Sequence, residues 1–165
     1  MIKFVKMNDS DLRELKAFAA PIWIECYDGI VERGHTEMLI EKYFEYENIL
    51  KFKAEGMIYE YILSEEERAG FIAYLLNSEY LYLDKLYLTK EQRGRHISRN
   101  VFDYLTKSFK LPIRLNVNRG NARAVAAYEA NGFKIIKTEE LPQKDGFVNM
   151  DYVMERDCNA DFQSI

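Results

Sequence analysis

The pattern of apolar and polar residues changes its period several times along the chain. Seven stretches either alternate with the two-residue period of a strand or form short apolar runs between turn residues. They cover residues 2–7, 57–63, 69–76, 80–88, 111–117, 133–138 and 148–155. Four further stretches repeat apolar residues at helical spacing, and they begin near residues 12, 38, 97 and 122. The pattern therefore predicts seven strands and four helical segments.

Capping and breaking residues set the expected boundaries of these elements. One of residues 8–10 is the N-cap of the first helix, and Pro21 should break or restart that helix because proline has no backbone N–H. Gly29 and Gly34 bound a loop, and the next helix runs with a break to about residue 52. Residues 64–68 form a five-residue polar hairpin loop. Asn121 and Gly132 cap the last helix.

The predicted elements follow the order β-α-α-β-β-β-α-β-α-β-β. A hairpin-rich first half followed by a β-α-β-α unit favours one mixed sheet with helices on both faces, an α/β (α+β) fold. We predict a single domain over residues 1–165, with a frayed tail over 157–165.

The composition is that of a soluble globular protein. Of 165 residues, 48% are hydrophobic and 30% are charged, and no apolar run approaches the roughly 18 residues that a membrane span needs. The N-terminus has no signal-peptide pattern. Cys26 and Cys158 have no disulfide, metal or redox spacing, so we expect a cytoplasmic protein without a metal site.

The small net charge of −4 conceals a strong segregation of charge. Residues 25–47 hold seven acids and two bases, a net charge of −5, whereas residues 85–123 hold ten bases and two acids, a net charge of +8. Solvated helix faces can differ in this way without any function. The functional interpretation is that the protein binds one cationic and one anionic ligand.

The basic segment contains a turn that is typical of phosphate-binding sites. A strand ends at residue 88, a polar loop follows, and a helix begins at Ile97. The free backbone N–H groups at a helix N-terminus attract phosphate. Arg93, Arg95 and Arg99 add positive charge, and Gly94 allows a close approach of the backbone.

Two motifs in this region resemble the GNAT superfamily of N-acetyltransferases. The first is Arg93-Gly94-Arg95-His96-Ile97-Ser98, and the second is N-x-x-A-x-x-x-Y-x-x-x-G-F from Asn121 to Phe133. The resemblance covers nearly the whole chain. It implies a GNAT-type fold, in which a mostly antiparallel mixed sheet has a V-shaped splay between two parallel strands, 80–88 and 111–117. It also implies acetyl-CoA as cosubstrate, with no metal.

The resemblance also implies which residues contact acetyl-CoA. The backbone of the strand ending at residue 88 would line the acetyl-pantetheine, the loop amides would hold the pyrophosphate, and Asn121 would bond the amide arm. The expected cofactor-binding residues are Leu86, Tyr87, Leu88, Arg93, Gly94, Arg95, His96, Ile97, Ser98, Arg99, Asn116, Asn121 and Ala124. For Asn121, a simple helix N-cap is the compatible alternative.

Family members attach the acetyl group by direct attack of the amine on the thioester, without a covalent acyl-enzyme. Tyr128 matches the tyrosine that protonates the leaving thiolate, although a core tyrosine is the alternative. Asp84 is the first candidate for the base that deprotonates the acceptor, and Glu25 is the second. Asp84 could equally be a surface residue.

The phosphate loop departs from the family pattern R/Q-x-x-G-x-G/A at His96 and Ser98. If His96 needs a positive φ, the side chain costs of order 1–3 kcal/mol; otherwise it is an ordinary loop residue facing water. The departure motivates a second hypothesis, a non-catalytic or regulatory relative that binds acyl-CoA weakly. A third, a nucleic-acid-binding module on the basic segment, is opposed by the overall acidity and by the lack of any recognised motif.

The acceptor is expected to be a primary amine. Trp23, Tyr27 and Asp28 lie in a segment that is both acidic and aromatic, which suits a cationic amine. The segment is also similar to bacterial spermidine/spermine acetyltransferases, so a polyamine-like amine is predicted, with a protein or peptide amine as the alternative. The other interpretation is that Trp23 and Tyr27 belong to the core. The predicted partners are acetyl-CoA and this amine, with no nucleic acid and no membrane, and family members often form homodimers.

Overall fold

The computed structural model describes residues 1–142, 146 and 148–159. Within these residues the helices are α1 (Asp9–Tyr27), α2 (Arg33–Phe44), α3 (Tyr46–Ala54), α4 (Ile97–Phe109) and α5 (Ala122–Ala130). The strands are β1 (Ile2–Lys6), β2 (Ile58–Ser64), β3 (Glu67–Leu76), β4 (Leu81–Leu88), β5 (Ile113–Asn118), β6 (Lys134–Pro142) and β7 (Val148–Arg156).

The seven strands form one mixed sheet in the order β1-β2-β3-β4-β5-β7-β6. The pairs β1–β2, β2–β3, β5–β7 and β6–β7 are antiparallel, and β4–β5 is parallel. The ladder between β4 and β5 pairs Leu81 with Ile113 and Tyr82 with Arg114, and ends there. This sheet with its helices confirms the predicted fold class.

The chain divides into two compact units, and each is described by itself. Unit 1 comprises residues 1–75 and 85–97, and unit 2 comprises residues 76–84 and 98–165, of which 143–145, 147 and 160–165 are outside the described residues. The frayed tail predicted for residues 157–165 therefore falls mostly outside them. The single domain over 1–165 and the cytoplasmic location stay predictions. Among the described helices, none is long and apolar enough to cross a membrane.

The core of unit 1 lies between its helices and its strands. Leu12, Leu15 and Phe44 from the helices are buried against β-strand residues such as Phe71. Asn8 is the N-cap that starts α1, because its side chain accepts a hydrogen bond from the Asp11 N–H at 2.8 Å. One of the three predicted cap candidates is thus the cap.

The expected break at Pro21 is wrong. Helix α1 continues through Pro21 to Tyr27, although an internal proline removes one backbone hydrogen bond and crowds the preceding turn. The proline itself faces solvent, while the next two residues, Ile22 and Trp23, are buried. Burial of these two large side chains offsets the local penalty, since each contributes about 1.5–3 kcal/mol.

Replacement of Pro21 by alanine should therefore stabilise the protein. The substitution restores a backbone donor at an exposed position in the middle of a helix, where alanine is favoured over proline by about 3 kcal/mol in isolated helices. We expect a gain of about 1–2 kcal/mol in the free energy of unfolding, measured by urea denaturation, because the native helix already accommodates the proline. An unchanged or lower midpoint would show that the proline's conformation is required by the packing around it.

Two further boundaries differ from the prediction in the same unit. The hairpin between β2 and β3 has a turn of two residues, Glu65 and Glu66, both with positive φ (49° and 68°), and not a five-residue loop. The Met1 ammonium and the Lys3 side chain each form an ion pair with one of these glutamates, which accounts for charged residues at a turn that usually holds glycine or asparagine. Gly34 lies inside the first turn of α2, and not in a loop.

The core of unit 2 is formed by one face of α4 and the strands of that unit. Val101, Phe102 and Leu105 are buried on the helix, as the helical spacing predicts, and they accompany buried Leu115 and Met154 on β5 and β7. The helix spans the predicted residues 97–109. Helix α5 likewise begins after its predicted cap, Asn121.

Candidate active site

The aromatic residues of the predicted acceptor segment pack closely in unit 1. Trp23 is only 4% exposed, and its ring centroid lies 5.0 Å from that of Tyr87 and 5.5 Å from that of Tyr27. The hydroxyl oxygens of Tyr27 and Tyr87 are 2.7 Å apart, so one donates a hydrogen bond to the other. Trp23 is therefore a core residue, and the two partly buried tyrosines carry the polar end of this cluster.

Arg93 joins the end of α1 to the end of β4. Its guanidinium donates to the Glu25 carboxylate at 2.9 Å, to the Cys26 sulfur at 2.9 Å and to the Leu88 carbonyl oxygen at 3.2 Å. The hydrogen bond with Glu25 raises the pKa of Arg93 above its usual value. The side chains of the predicted phosphate-loop arginine and of the second candidate base thus bind each other.

The loop after Arg93 places two residues in the left-handed region. Gly94 has φ of +76° and His96 has φ of +60°, and Arg95 between them is exposed. The first residue of α4, Ile97, is 2% exposed and belongs to the core. His96 therefore has the positive φ at which a histidine side chain is expected to cost conformational energy.

Replacement of His96 by glycine should raise the free energy of unfolding by about 1 kcal/mol. An L-residue in the left-handed region costs about 1–2 kcal/mol, and glycine removes this cost. Part of the gain is offset because glycine increases the conformational entropy of the unfolded chain. Thermal or urea denaturation checks this result. The matched control is Arg95→Gly, since Arg95 is outside the left-handed region and should gain nothing. Equal shifts in both variants would contradict a specific strain at His96.

Unit 2 contains a polar cluster around Asn116, one of the predicted cofactor-binding residues, and the sequence did not reveal the other members of this cluster. The Tyr82 hydroxyl donates to Asn116 Oδ1 at 2.9 Å, and Asn116 Nδ2 donates to Glu139 Oε2 at 3.1 Å and to Asp151 Oδ2 at 3.3 Å. Burial raises the pKa of Asp151, whereas a hydrogen bond from Lys137 lowers the pKa of Glu139. Asn116 therefore holds two carboxylates whose pKa values are shifted in opposite directions.

The candidate base Asp84 also lies in unit 2. It is two residues from Tyr82 on β4, so both side chains leave the same face of that strand. Asp84 is partly exposed. The alternation of polar residues with buried leucines along β4 could have indicated that Tyr82 lies on the same face as Asp84.

Helix α5 presents the residues of the second motif. Asn121 is its N-cap, with Oδ1 accepting the Ala124 N–H at 3.2 Å. Gly132 follows the helix with φ of +86°, and the Phe133 N–H returns to the Tyr128 carbonyl at 3.0 Å. The Tyr128 ring packs against Phe133 at 5.5 Å and remains partly exposed. The motif spacing thus fixes both ends of the helix and the position of its tyrosine.

The remaining predicted residues take their places on the same elements. Leu86 and Leu88 lie with Tyr87 on the last part of β4, and are partly exposed. Ser98 and Arg99 lie in the first turn of α4, also partly exposed, and Asp28 follows α1 as an exposed C-cap. The roles given to all these residues stay predictions.

A family model described as the acetyltransferase (GNAT) domain matches residues 31–156. The chain belongs to the GNAT acetyltransferase family. Members of this family transfer an acetyl group from acetyl-CoA to an acceptor, and the match includes residues 93–98 and the motif from Asn121 to Phe133. No curated protein sequence matches this acetyltransferase significantly.

Solved structures share the fold of this GNAT protein. The PaiA N-acetyltransferase of Thermoplasma acidophilum, solved with coenzyme A, has a TM-score of 0.76 at 23% identity, covering 95% of this chain and 99% of that one. A GNAT acetyltransferase of Staphylococcus aureus has a TM-score of 0.69 at 22% identity over 96% and 100% of the two chains. The ribosomal-protein-S18-alanine N-acetyltransferase of Escherichia coli has a TM-score of 0.64 at 15% identity over 100% of both.

The acidic segment of this GNAT protein is mostly neutralised internally. Glu25 pairs with Arg93, Glu37 pairs with Arg33, and Lys16 pairs with both Glu41 and Glu45. Asp28 and Glu32 are exposed and form no ion pair with any residue that the structure describes. Among the same residues, no group of three or more His, Cys, Asp or Glu side chains could hold a metal ion.

Proposed function

We propose that this GNAT acetyltransferase acetylates a primary amine of a small cationic molecule, with a polyamine as the model acceptor. The observation that carries the proposal is the pair of exposed acids, Asp28 and Glu32, which flank the short loop that follows Tyr27. Glu25, the other acid near the end of α1, is paired with Arg93, so these two carboxylates remain for a ligand. A molecule with two or more ammonium groups would satisfy both charges.

The donor side of the reaction rests on the two motifs. The loop amides from Arg93 to Ser98 would hold the pyrophosphate of acetyl-CoA, while the Arg93 side chain fixes the loop to α1. The Asn121 amide keeps its role as helix cap and retains its Nδ2 group for the cofactor. The backbone of Leu86, Tyr87 and Leu88 would line the acetyl arm.

The chemistry is a direct acyl transfer. The acceptor ammonium loses a proton to Asp84, directly or through water, and the free amine attacks the thioester carbonyl carbon. This attack forms the C–N bond of a tetrahedral adduct, and collapse of the adduct breaks the C–S bond. The nitrogen releases its second proton, and Tyr128 supplies a proton to the departing thiolate. One proton is released for each acetyl group transferred, which a pH-stat can count.

The experiment is an acceptor screen that follows the release of free coenzyme A thiol from acetyl-CoA. Polyamines, aminoglycosides, amino acids and peptides are compared at equal concentration, and the highest kcat/KM is expected for a polyamine. A peptide that surpasses every small amine would replace the polyamine proposal. If no acceptor reacts and calorimetry with millimolar acetyl-CoA shows no heat, the chain is a non-catalytic relative.

Charge-neutralised variants localise the acceptor contact. Asp28→Asn combined with Glu32→Gln should raise the KM for the polyamine about five-fold, a loss of roughly 1 kcal/mol that is typical of exposed ion pairs, while the KM for acetyl-CoA stays constant. The matched control is Glu47→Gln, another exposed acid of the same segment, on α3. Equal effects from the control would show only a general loss of electrostatic attraction.

A further inference from the structure

Arg156 is a buried charged residue at the end of β7, and only 4% of its surface is exposed. It pairs with Ile113 in the ladder between β7 and β5, so the sheet fixes its backbone. Burial lowers the pKa of its guanidinium. A charge buried in this way loses much of its hydration, which its contacts within the protein have to offset. The two motifs do not include this residue, so its contacts indicate what it does.

The guanidinium of Arg156 joins two helices of unit 2. Its Nε donates to the carbonyl oxygen of Asn131 at 3.0 Å, and its Nη1 donates to Thr106 Oγ1 at 2.9 Å. Its Nη2 donates to Asp103 Oδ1 at 3.4 Å, and the group lies over the Phe102 ring, 5.8 Å from its centroid. Asn131 is the C-cap of α5, whereas the other three residues lie on α4. Arg156 therefore binds the C-terminal end of α5 to one side of α4.

Helix α5 has little packing of its own to hold it. None of its nine residues is buried, and the structure describes all of them. A carbonyl at a helix C-terminus has no partner within the helix, and a positive charge beside it is favourable. The C-terminal end of α5 is anchored by the buried Phe133, which follows it, and by the hydrogen bond from Arg156 to the Asn131 carbonyl.

Tyr128 lies one turn before this anchored end. Its carbonyl oxygen accepts hydrogen bonds from the N–H groups of Asn131 and Phe133, both at 3.0 Å. The backbone that Arg156 holds is therefore bonded directly to the backbone of the tyrosine. The Phe102 ring that contacts Arg156 also packs 6.0 Å from the Tyr128 ring. A displacement of the Asn131 carbonyl would consequently move Tyr128.

We propose that Arg156 is the positioning residue of Tyr128: by holding the end of α5, it sets where the phenolic hydroxyl lies. This inference rests on the proposed function, in which that hydroxyl protonates the departing thiolate. Proton transfer requires the donor within hydrogen-bond reach, and a displacement of about 1 Å can cost about 100-fold in rate. An apolar residue of similar volume would fill the same space with a smaller loss of hydration, but it could not hold a carbonyl in place.

The first measurement is the steady-state kinetics of Arg156→Lys, alone and combined with Tyr128→Phe. Lysine keeps the charge but lacks the planar fork that reaches several acceptors at once. Arg156→Lys alone should lower kcat about ten-fold and change the KM for acetyl-CoA by less than about two-fold. In the Tyr128→Phe variant it should cause no further loss of kcat, because no hydroxyl is left to position. The matched control is Arg114→Lys, since Arg114 pairs with Glu155 in the same unit and should leave kcat unchanged.

The second measurement follows Tyr128 without any activity. The protein is labelled with fluorotyrosine, and the fluorine NMR resonance of Tyr128 is the one that is missing from Tyr128→Phe. Arg156→Lys should shift or broaden this resonance, while the resonance of Tyr61 on β2 stays in place. If circular dichroism shows that Arg156→Lys is unfolded, Thr106→Val replaces it in both measurements, because that variant removes a single acceptor of the guanidinium.

The two measurements separate this inference from the proposed function. If Tyr128→Phe leaves kcat unchanged, or if no acceptor reacts, the acid role fails and the resonance alone decides whether Arg156 positions Tyr128: a shifted resonance supports it. An unchanged Tyr128 resonance in the folded variant overturns the inference. Losses of kcat that multiply in the double variant overturn it as well, since they would show that Arg156 acts on the fold in general and not through the tyrosine.

Discussion

Replacement of Gly70 by alanine should lower the free energy of unfolding by roughly 3 kcal/mol, the upper part of the range for overpacked cores. A Cβ atom built on Gly70 in β3 would lie 2.1 Å from the Tyr87 carbonyl oxygen and 2.9 Å from a Leu88 side-chain carbon. The first of these contacts is with backbone, which cannot rotate away. Strand β4 would have to move at the residues expected to line the acetyl arm, so urea denaturation and the KM for acetyl-CoA should both change.

The matched control is Gly34→Ala. Gly34 lies in the first turn of α2 with a negative φ, and a Cβ atom there meets no atom within 4 Å. Alanine should stabilise this helix by about 0.5 kcal/mol. If both alanine variants unfold at the wild-type urea concentration, the close approach of Gly70 to Tyr87 does not constrain the strand.

The sequence predicted the elements whose signals are local. Helices α4 and α5 begin where the apolar spacing and Asn121 place them, because a cap and an amphipathic face act within a few residues. Pro21 misled the prediction because burial of the following two residues, a tertiary effect, outweighs a local penalty. The two-residue turn at Glu65 and Glu66 was not predicted for a similar reason, since these glutamates form ion pairs with residues distant in sequence, Met1 and Lys3.

In the candidate site, too, local features could be predicted from the sequence and long-range contacts could not. The motif from Asn121 to Phe133 lies within one helix and its caps, so spacing alone locates Tyr128. The pairs Arg93–Glu25 and Tyr27–Tyr87 join residues 68 and 60 positions apart. Nothing in a single sequence specifies which arginine pairs with which glutamate, so the contacts of Arg93 and of the tyrosine pair became visible only in the fold.

Replacement of Tyr128 by phenylalanine should lower kcat by about 100-fold or more, within the usual range for losing a general acid. The variant keeps the aromatic ring that packs 5.5 Å from Phe133 and 6.0 Å from Phe102, so α5 should remain in place. The substitution removes the phenolic hydroxyl that we propose protonates the coenzyme A thiolate. The KM for acetyl-CoA should therefore change little, and steady-state kinetics with a reactive acceptor separate the two parameters.

The acid role predicts a specific dependence on the leaving group. A donor with a more acidic thiol needs less protonation as it departs, so the activity lost by Tyr128→Phe should be smaller with such an acetyl thioester than with acetyl-CoA. Tyr61→Phe is the matched control, because it removes a β2 hydroxyl outside the motif that has no hydrogen-bond partner among the described residues. Equal losses for all thioesters would indicate that Tyr128 positions the cofactor instead of donating the proton, and an unchanged kcat would exclude both roles.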